Sequence, residues 1–165
     1  MTKDGKWWCV FCGSRANSDE HVIATRLFKR AGAVRFSVIP GVYTEGQEMR
    51  TRPKHTLESF TVGRACRECN HGWMNDLEDW FESRLGYLIE PKWPKLALTM
   101  IEELKPERNK LAHWMMKTAV TFSLSTMESE YRVVFPADVT LKIKEGILPK
   151  NVWVDLAYSD RKSVV

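Results

Sequence analysis

The chain has 165 residues, enough for one ordinary domain or for a small domain with an appendage. Hydrophobic residues make up 44% and charged residues 28%, as in a soluble globular protein, and no run of about 18 apolar residues could span a bilayer. No membrane role is implied. Because the N-terminus lacks the apolar core of a signal peptide, we expect a cytoplasmic protein whose thiols stay reduced and free to bind metal.

The net charge of +4 is unevenly distributed along the chain. Residues 1–75 contain 12 Lys and Arg against 7 Asp and Glu, whereas residues 76–165 contain 13 against 14. A basic excess confined to the first half is compatible with a polyanionic partner bound near that half.

Short strands are predicted in the first half of the chain. Residues 34–39 and 56–62 alternate apolar and polar side chains, as half-buried strands do. Turn residues between them, such as Pro40-Gly41, predict a hairpin or a long loop.

Helices are predicted after the second cysteine pair, where the apolar spacing changes to a helical period. One helix covers residues 73–88, and a second covers residues 106–123 after a proline. A third covers residues 136–145, with Gly146 as its stop.

The rest of the second half has the composition of strands, at residues 131–135 and 151–158. Pro91 and Pro94 mark the best candidate hinge. The sequence therefore predicts two parts, residues 1–90 and an α+β region of unknown role over residues 91–165.

All four cysteines of the chain lie in two Cys-x-x-Cys pairs, Cys9 with Cys12 and Cys66 with Cys69. Each such turn directs two thiolates toward one point about 2.3 Å away, and four sulfurs complete a closed tetrahedral zinc site. A closed site has no open coordination position, so this zinc would stabilise the fold and not catalyse. The alternatives are four ordinary buried thiols or a redox pair.

Four polar residues accompany this cysteine frame: Asp19, Glu20 and His21 lie between the pairs, and Asn70 follows the last cysteine. An acid beside a histidine can divide the work of phosphodiester hydrolysis, since the acid holds a divalent cation and the imidazole takes a proton from water. Asn70 adds a carbonyl oxygen that a hard cation accepts.

A local alternative assigns the same acidic segment a structural role. Residues 17–20 also form a capping-box pattern before a predicted helix over residues 22–30, with Gly32 as the helix stop. On that interpretation Glu20 caps a helix.

The order Cys-x-x-Cys, acid-His, Cys-x-x-Cys-Asn resembles the HNH (ββα-metal, His-Me finger) endonucleases with zinc knuckles, similar to phage endonuclease VII-like proteins. The matching stretches read Cys-Val-Phe-Cys-Gly at 9–13, Glu-His-Val-Ile at 20–23 and Cys-Asn-His-Gly-Trp-Met-Asn-Asp-Leu-Glu at 69–78. The resemblance spans residues 8–80 and implies a zinc-stapled ββα-metal N-terminal part, followed by a mixed helix and strand C-terminal part.

The resemblance also implies roles for single residues. His21 would be the general base, and Glu20 (or Asp19) and Asn70 would bind a catalytic magnesium or manganese ion. The products would be a 5′-phosphate and a 3′-hydroxyl. Three departures stand out: glutamate replaces the more usual aspartate at position 20, Ala24 stands where proline is common, and 44 residues separate His21 from the second pair.

The implied partner is DNA, with RNA as an alternative, and the oligomeric state is open, a homodimer included. Phosphates need only positive charge and reach. The candidates for such contacts are Arg50, Arg52, Lys54, Arg64, Arg67 and His71. The competing function is a non-catalytic zinc-knuckle module that binds nucleic acid or a protein.

Overall fold

A computed structural model describes residues 7–30, 37–38, 41–42, 50–51, 55–56, 61–89, 105–126 and 135–150. Over these residues the chain is mixed α+β, as the sequence predicts. The prolines of the predicted hinge and the strand-like residues 131–134 and 151–158 lie outside the described part. None of the helices in that part has the length and apolar character needed to cross a bilayer.

The strand pair that positions the site is β1 (Ser18–His21) with β6 (Thr61–Ala65). They run antiparallel, with Ser18 opposite Ala65 and His21 opposite Thr61, and the register shifts between Ser18 and Glu20. Because the backbone of 18–21 bonds to β6, this segment is extended.

Two shorter antiparallel pairs lie between β1 and β6 in the chain. The strand β2 (Ser37–Val38) pairs with β5 (His55–Thr56), and β3 (Gly41–Val42) pairs with β4 (Arg50–Thr51). The β3–β4 pair lies inside the β2–β5 pair in chain order, as the strands of a hairpin do. This arrangement between His21 and β6 is in line with the predicted hairpin.

The helices follow the predicted periodicity closely. The described helices are α1 (Thr25–Arg30), α2 (Arg67–Cys69), α3 (Asn75–Leu85), α4 (Arg108–Thr126) and α5 (Ala137–Lys144). A π-helical turn, Asn70–Met74, joins α2 to α3, and 3-10 turns cover Gly86–Ile89 and Lys105–Glu107. Gly146 ends the α5 segment with a φ of +75°, a conformation that favours glycine.

The capping-box alternative is wrong, because residues 18–21 form β1 and the following helix begins only at Thr25. Asn17 instead caps α2, a helix that is distant in the sequence. Its side-chain oxygen accepts a hydrogen bond from the Arg67 backbone N–H at 2.8 Å. Asn17 thereby satisfies a free donor at the start of α2 and ties the approach to β1 to the second cysteine pair.

The core consists of two buried clusters. The first surrounds the cysteines and includes Phe11, Met74, Val120 from α4 and Ile143 from α5. The second contains Leu27, Phe81, Leu85 and Leu111, with Trp114 of α4 stacked on Phe81 at a centroid distance of 3.9 Å. The helix α4 therefore contributes to both clusters.

A polar clamp fixes the start of α4 against α3. The Glu107 carboxylate accepts hydrogen bonds from the Trp80 indole N–H and from the Arg84 guanidinium, the latter at 2.6 and 2.9 Å. The described part of the second half thus packs on the first half, while the division at residue 90 stays a prediction.

We expect Asn17→Ala to lower the free energy of unfolding by about 1 kcal/mol, the usual cost of losing a helix cap. The reason is that the Arg67 N–H loses its 2.8 Å acceptor. Urea unfolding of the zinc-loaded protein measures the change. Asn17→Asp is the matched control, since it keeps an acceptor oxygen, and equal stability of the Ala variant and wild type would contradict the cap.

Candidate metal centre and active site

The four cysteines meet at one point. Their sulfur atoms all lie within 4.8 Å of one another, and the Sγ atoms of Cys12 and Cys66 are 3.5 Å apart. A tetrahedral zinc ion with Zn–S bonds of about 2.3 Å needs sulfurs about 3.8 Å apart. All four are free thiols, so the donor set and its spacing fit a structural metal ion such as zinc.

The knuckle turns and the start of α2 position these sulfurs. Gly13 has a φ of +72° and its N–H donates to the Cys9 carbonyl at 2.9 Å, which closes the first turn. At the second turn the Cys66 Sγ accepts from the Cys69 backbone N–H at 3.4 Å. Hydrogen bonds to ligand sulfurs are the usual support of a metal site.

The thiols differ in their affinity for protons. Burial raises the pKa of Cys66 far above the ordinary value and raises that of Cys69 to about 11. Burial also acts to raise the pKa of Cys12, but hydrogen bonds from Ser14 outweigh it and lower that pKa to about 6. Without metal, therefore, only part of the cluster is ionised at neutral pH.

Aromatic rings enclose the cluster on one side. The Trp73 ring packs edge-on against Phe11 at 5.1 Å and stacks on His113 of α4 at 5.3 Å. Burial lowers the pKa of His113, which favours the neutral imidazole in this stack. His113 therefore packs as a structural side chain beside the cysteine cluster.

Asn70 lies where the cysteine cluster meets β1. Its side-chain Nδ2 donates to the Ser18 Oγ at 2.7 Å and to the Asp19 carbonyl at 3.1 Å. These two bonds fix the amide with its nitrogen toward β1, which makes Oδ1 the atom that can bind a cation.

An open cavity of about 360 Å³ lies beside this amide. His21, Glu20 and Asn70 all line it, although Asn70 comes 49 residues after His21 in the sequence. The structure thus brings the three predicted catalytic residues to one cavity next to the cysteine cluster. His71 is exposed and is not among the residues that line this cavity.

Glu20 is nevertheless 7% exposed and has a partner that the sequence did not predict. Its Oε1 lies 3.3 Å from the Nζ of Lys117 on α4, and the same ammonium contacts Glu78 of α3. Burial raises the pKa of Glu20, the Lys117 charge acts to lower it, and the Glu78 charge adds to the rise. Cation binding by Glu20 stays a prediction.

Asp19 is less well placed as the substitute acid. It is exposed, its carboxylate lies over Gly63 of β6, and it is not among the cavity-lining residues. Neighbouring residues of a strand point to opposite faces, so a strand that directs Glu20 inward directs Asp19 outward.

The predicted phosphate contacts are scattered. The Arg64 guanidinium lies over the Trp7 ring at 4.4 Å, and Arg67 is exposed on α2. Arg50 lies in β4, of which only the backbone is described, while Arg52 and Lys54 lie outside the described residues. None of the described candidates lines the cavity.

Sequence reasoning missed the basic residues that do line the cavity, Arg26 and Lys29 of α1. They are three residues apart in the sequence, so one helix face presents both. Arg26 is held by Asp79 at 2.6 Å and by Glu82 at 2.9 Å. The signal that could have found them is a basic helix directly after the acid-His pair.

Comparison with known proteins gives little. No family model matches the chain, and no solved structure matches it. Among curated proteins, the 1,4-alpha-glucan branching enzyme GlgB of Synechococcus sp. (strain RCC307) is 31% identical over 83 residues, which is 50% of this chain. The match covers 10% of that enzyme, so the chain spans about a tenth of this relative's length.

We expect zinc to release protons when it binds the metal-free protein at neutral pH. Zinc binds thiolates, whereas the raised pKa values keep Cys66 and Cys69 protonated at that pH. Zinc affinity therefore increases as the pH rises. Calorimetry in buffers of different ionisation enthalpy measures the release, with a Cys66→Ser/Cys69→Ser variant as control. Zinc binding whose heat is independent of the buffer would contradict the predicted protonation.

Proposed function

We propose that this chain is a metal-dependent HNH-like endonuclease that hydrolyses DNA phosphodiester bonds, with His21 as the general base. The observation that carries the proposal is that His21, Glu20 and Asn70 line one cavity beside the four-cysteine cluster. An acid and an amide oxygen can bind a divalent cation and an imidazole can take a proton from water, so one cavity lined by all three suits metal-assisted hydrolysis of a phosphodiester.

The order of elements around the cavity supports the same proposal. His21 is the last residue of β1, β6 pairs with that strand, and the chain then enters the helical segment that starts with α2 and Asn70. A strand, an antiparallel strand and a helix placed in this way agree with the ββα arrangement that the resemblance implies.

The chemistry divides between two groups of cavity-lining residues. Asn70 Oδ1 and the Glu20 carboxylate are the ligands proposed for a magnesium or manganese ion, which when bound would stabilise negative charge on the phosphate and the leaving oxygen. His21 takes a proton from the attacking water. Lys29 gives positive charge for the substrate phosphates, whereas the charge of Arg26 is already compensated by Asp79 and Glu82.

The cysteine cluster has a positioning role in this scheme. Asn70 directly follows Cys69, and β1 begins six residues after Cys12. Zinc bound to the four sulfurs would therefore fix both ends of the proposed active site with respect to each other, without an open coordination position for substrate.

A second candidate function is a non-catalytic zinc-knuckle module that binds nucleic acid or a protein. The observation in its favour is that, among the residues that the structure describes, the group of His, Cys, Asp or Glu side chains close enough together to hold a metal ion is the four cysteines. The segment shared with the branching enzyme covers only 10% of that protein and does not support its reaction here.

We expect His21→Ala to lower the rate of plasmid nicking in magnesium or manganese by about 100-fold to 10,000-fold, the usual contribution of a general base. His71→Ala is the matched control, since this exposed histidine lies one residue beyond Asn70 and does not line the cavity. Zinc content should be the same in both variants.

The two candidate functions give opposite results in this assay. Nicking that stops with chelator and in His21→Ala supports the nuclease. Tight DNA binding by the wild type without cleavage in any metal would instead support the module, and full activity of His21→Ala would exclude His21 as the base.

We expect Lys29→Met to weaken DNA binding and to reduce the slope of log affinity against log salt by about 1, since one phosphate contact is lost. Turnover at saturating DNA should change little. Lys144→Met on α5 removes an equally exposed charge away from the cavity and serves as the control. Equal salt slopes for the two variants would contradict a phosphate contact at Lys29.

A further inference from the structure

Lys117 is the most unusual charged residue of the described structure. It lies in the middle of α4 and its side chain is 0% exposed. A buried ammonium without a partner is very costly, so such a residue persists only where anions compensate it.

Two carboxylates from different elements provide that compensation. Lys117 Nζ lies 3.3 Å from Glu20 Oε1 on β1 and contacts Glu78 Oε1 on α3. Glu20 and Glu78 both line the cavity that contains His21 and Asn70. The ammonium therefore lies directly behind the cavity wall, and the cluster carries one more negative than positive charge.

Stability alone is a weak reason for this cluster. A well-packed apolar side chain in place of a buried ion pair often gives equal or higher stability. A glutamate, in contrast, has several freely rotating bonds, and a metal ligand works best when a neighbouring group fixes its orientation. A bond from Lys117 to one Glu20 oxygen supplies that restraint and leaves the second oxygen for a cation.

We infer that Lys117 is a positioning residue, which holds the Glu20 carboxylate at the wall of the cavity shared by His21 and Asn70 so that this carboxylate binds the divalent cation. The inference rests on the proposed function. It also assigns α4 a role: the second half of the chain supplies the group that orients a ligand carried by the first half.

Manganese affinity tests the inference, because Mn²⁺ binding can be followed by electron paramagnetic resonance in the zinc-loaded full chain without any cleavage assay. We expect Lys117→Met to raise the Mn²⁺ dissociation constant about tenfold to 100-fold, as is usual when a partner of a metal ligand is removed. Saturating Mn²⁺ should restore most of the nicking rate.

A double-mutant cycle separates positioning from general damage to the fold. Glu20→Gln should weaken Mn²⁺ binding by itself, and Lys117→Met added to Glu20→Gln should cause no further loss, since the lysine acts through that carboxylate. A merely structural lysine would weaken binding in both backgrounds. Zinc stoichiometry and thermal unfolding of each variant check that the fold is kept.

Lys117→Met leaves the Glu20 and Glu78 carboxylates without their partner. If this variant fails to fold, a second pair of variants tests the same inference. Glu78→Gln leaves a one-to-one pair of Lys117 with Glu20, and Glu78→Gln/Lys117→Met is then compared with Glu78→Gln. We expect the same loss of Mn²⁺ affinity between these two proteins.

The outcomes distinguish this inference from the proposed function. Unchanged Mn²⁺ affinity on loss of Lys117, or equal losses with and without the Glu20 carboxylate, would overturn the inference even in an active nuclease. A wild type that binds Mn²⁺ and never cleaves nucleic acid would overturn only the nuclease proposal. A wild type that binds no Mn²⁺ would overturn both.

Discussion

The convergence of four sulfur atoms is the constraint on which the rest of the structure depends. The cysteines that make the contact at 3.5 Å are 54 residues apart in the sequence, so their approach closes a long loop that is entropically costly. Once it is closed, β1 lies beside β6 and Asn70 lies beside Ser18. A metal ion bound by these thiols would contribute free energy to the closing of this loop.

The sulfur cluster is also part of the apolar core. Three of its cysteines are buried together with Phe11 and Met74, and α4 and α5 cover them with Val120 and Ile143. Burial in this environment raises the pKa of Cys66 and Cys69, so the protein without metal holds these two thiols neutral in an apolar core. Folding, thiol ionisation and metal binding are therefore linked processes in this molecule.

The sequence allowed the helices α3, α4 and α5 to be predicted because periodicity is a local signal, and the cysteine cluster because two Cys-x-x-Cys pairs complete a tetrahedral metal site. That His21 and Asn70 would line one site followed from the resemblance to a family. It misled at residues 17–20, where a local capping pattern competed with the pairing of β1 to β6. The paired residues are 40 to 47 positions apart in the sequence, so no local pattern reveals them. Lys117 was missed for a similar reason: its partners lie on β1 and α3. A lysine on the apolar stripe of a helix was the available signal.

The contacts of α4 have a consequence for engineering the cysteine-framed segment. A transplant that ended after Leu85 would carry Glu20 and Glu78 without their ammonium partner, and Phe81 without the ring that stacks on it. Such a graft would present two acids and an apolar surface to its new host. The smallest portable unit therefore includes α4.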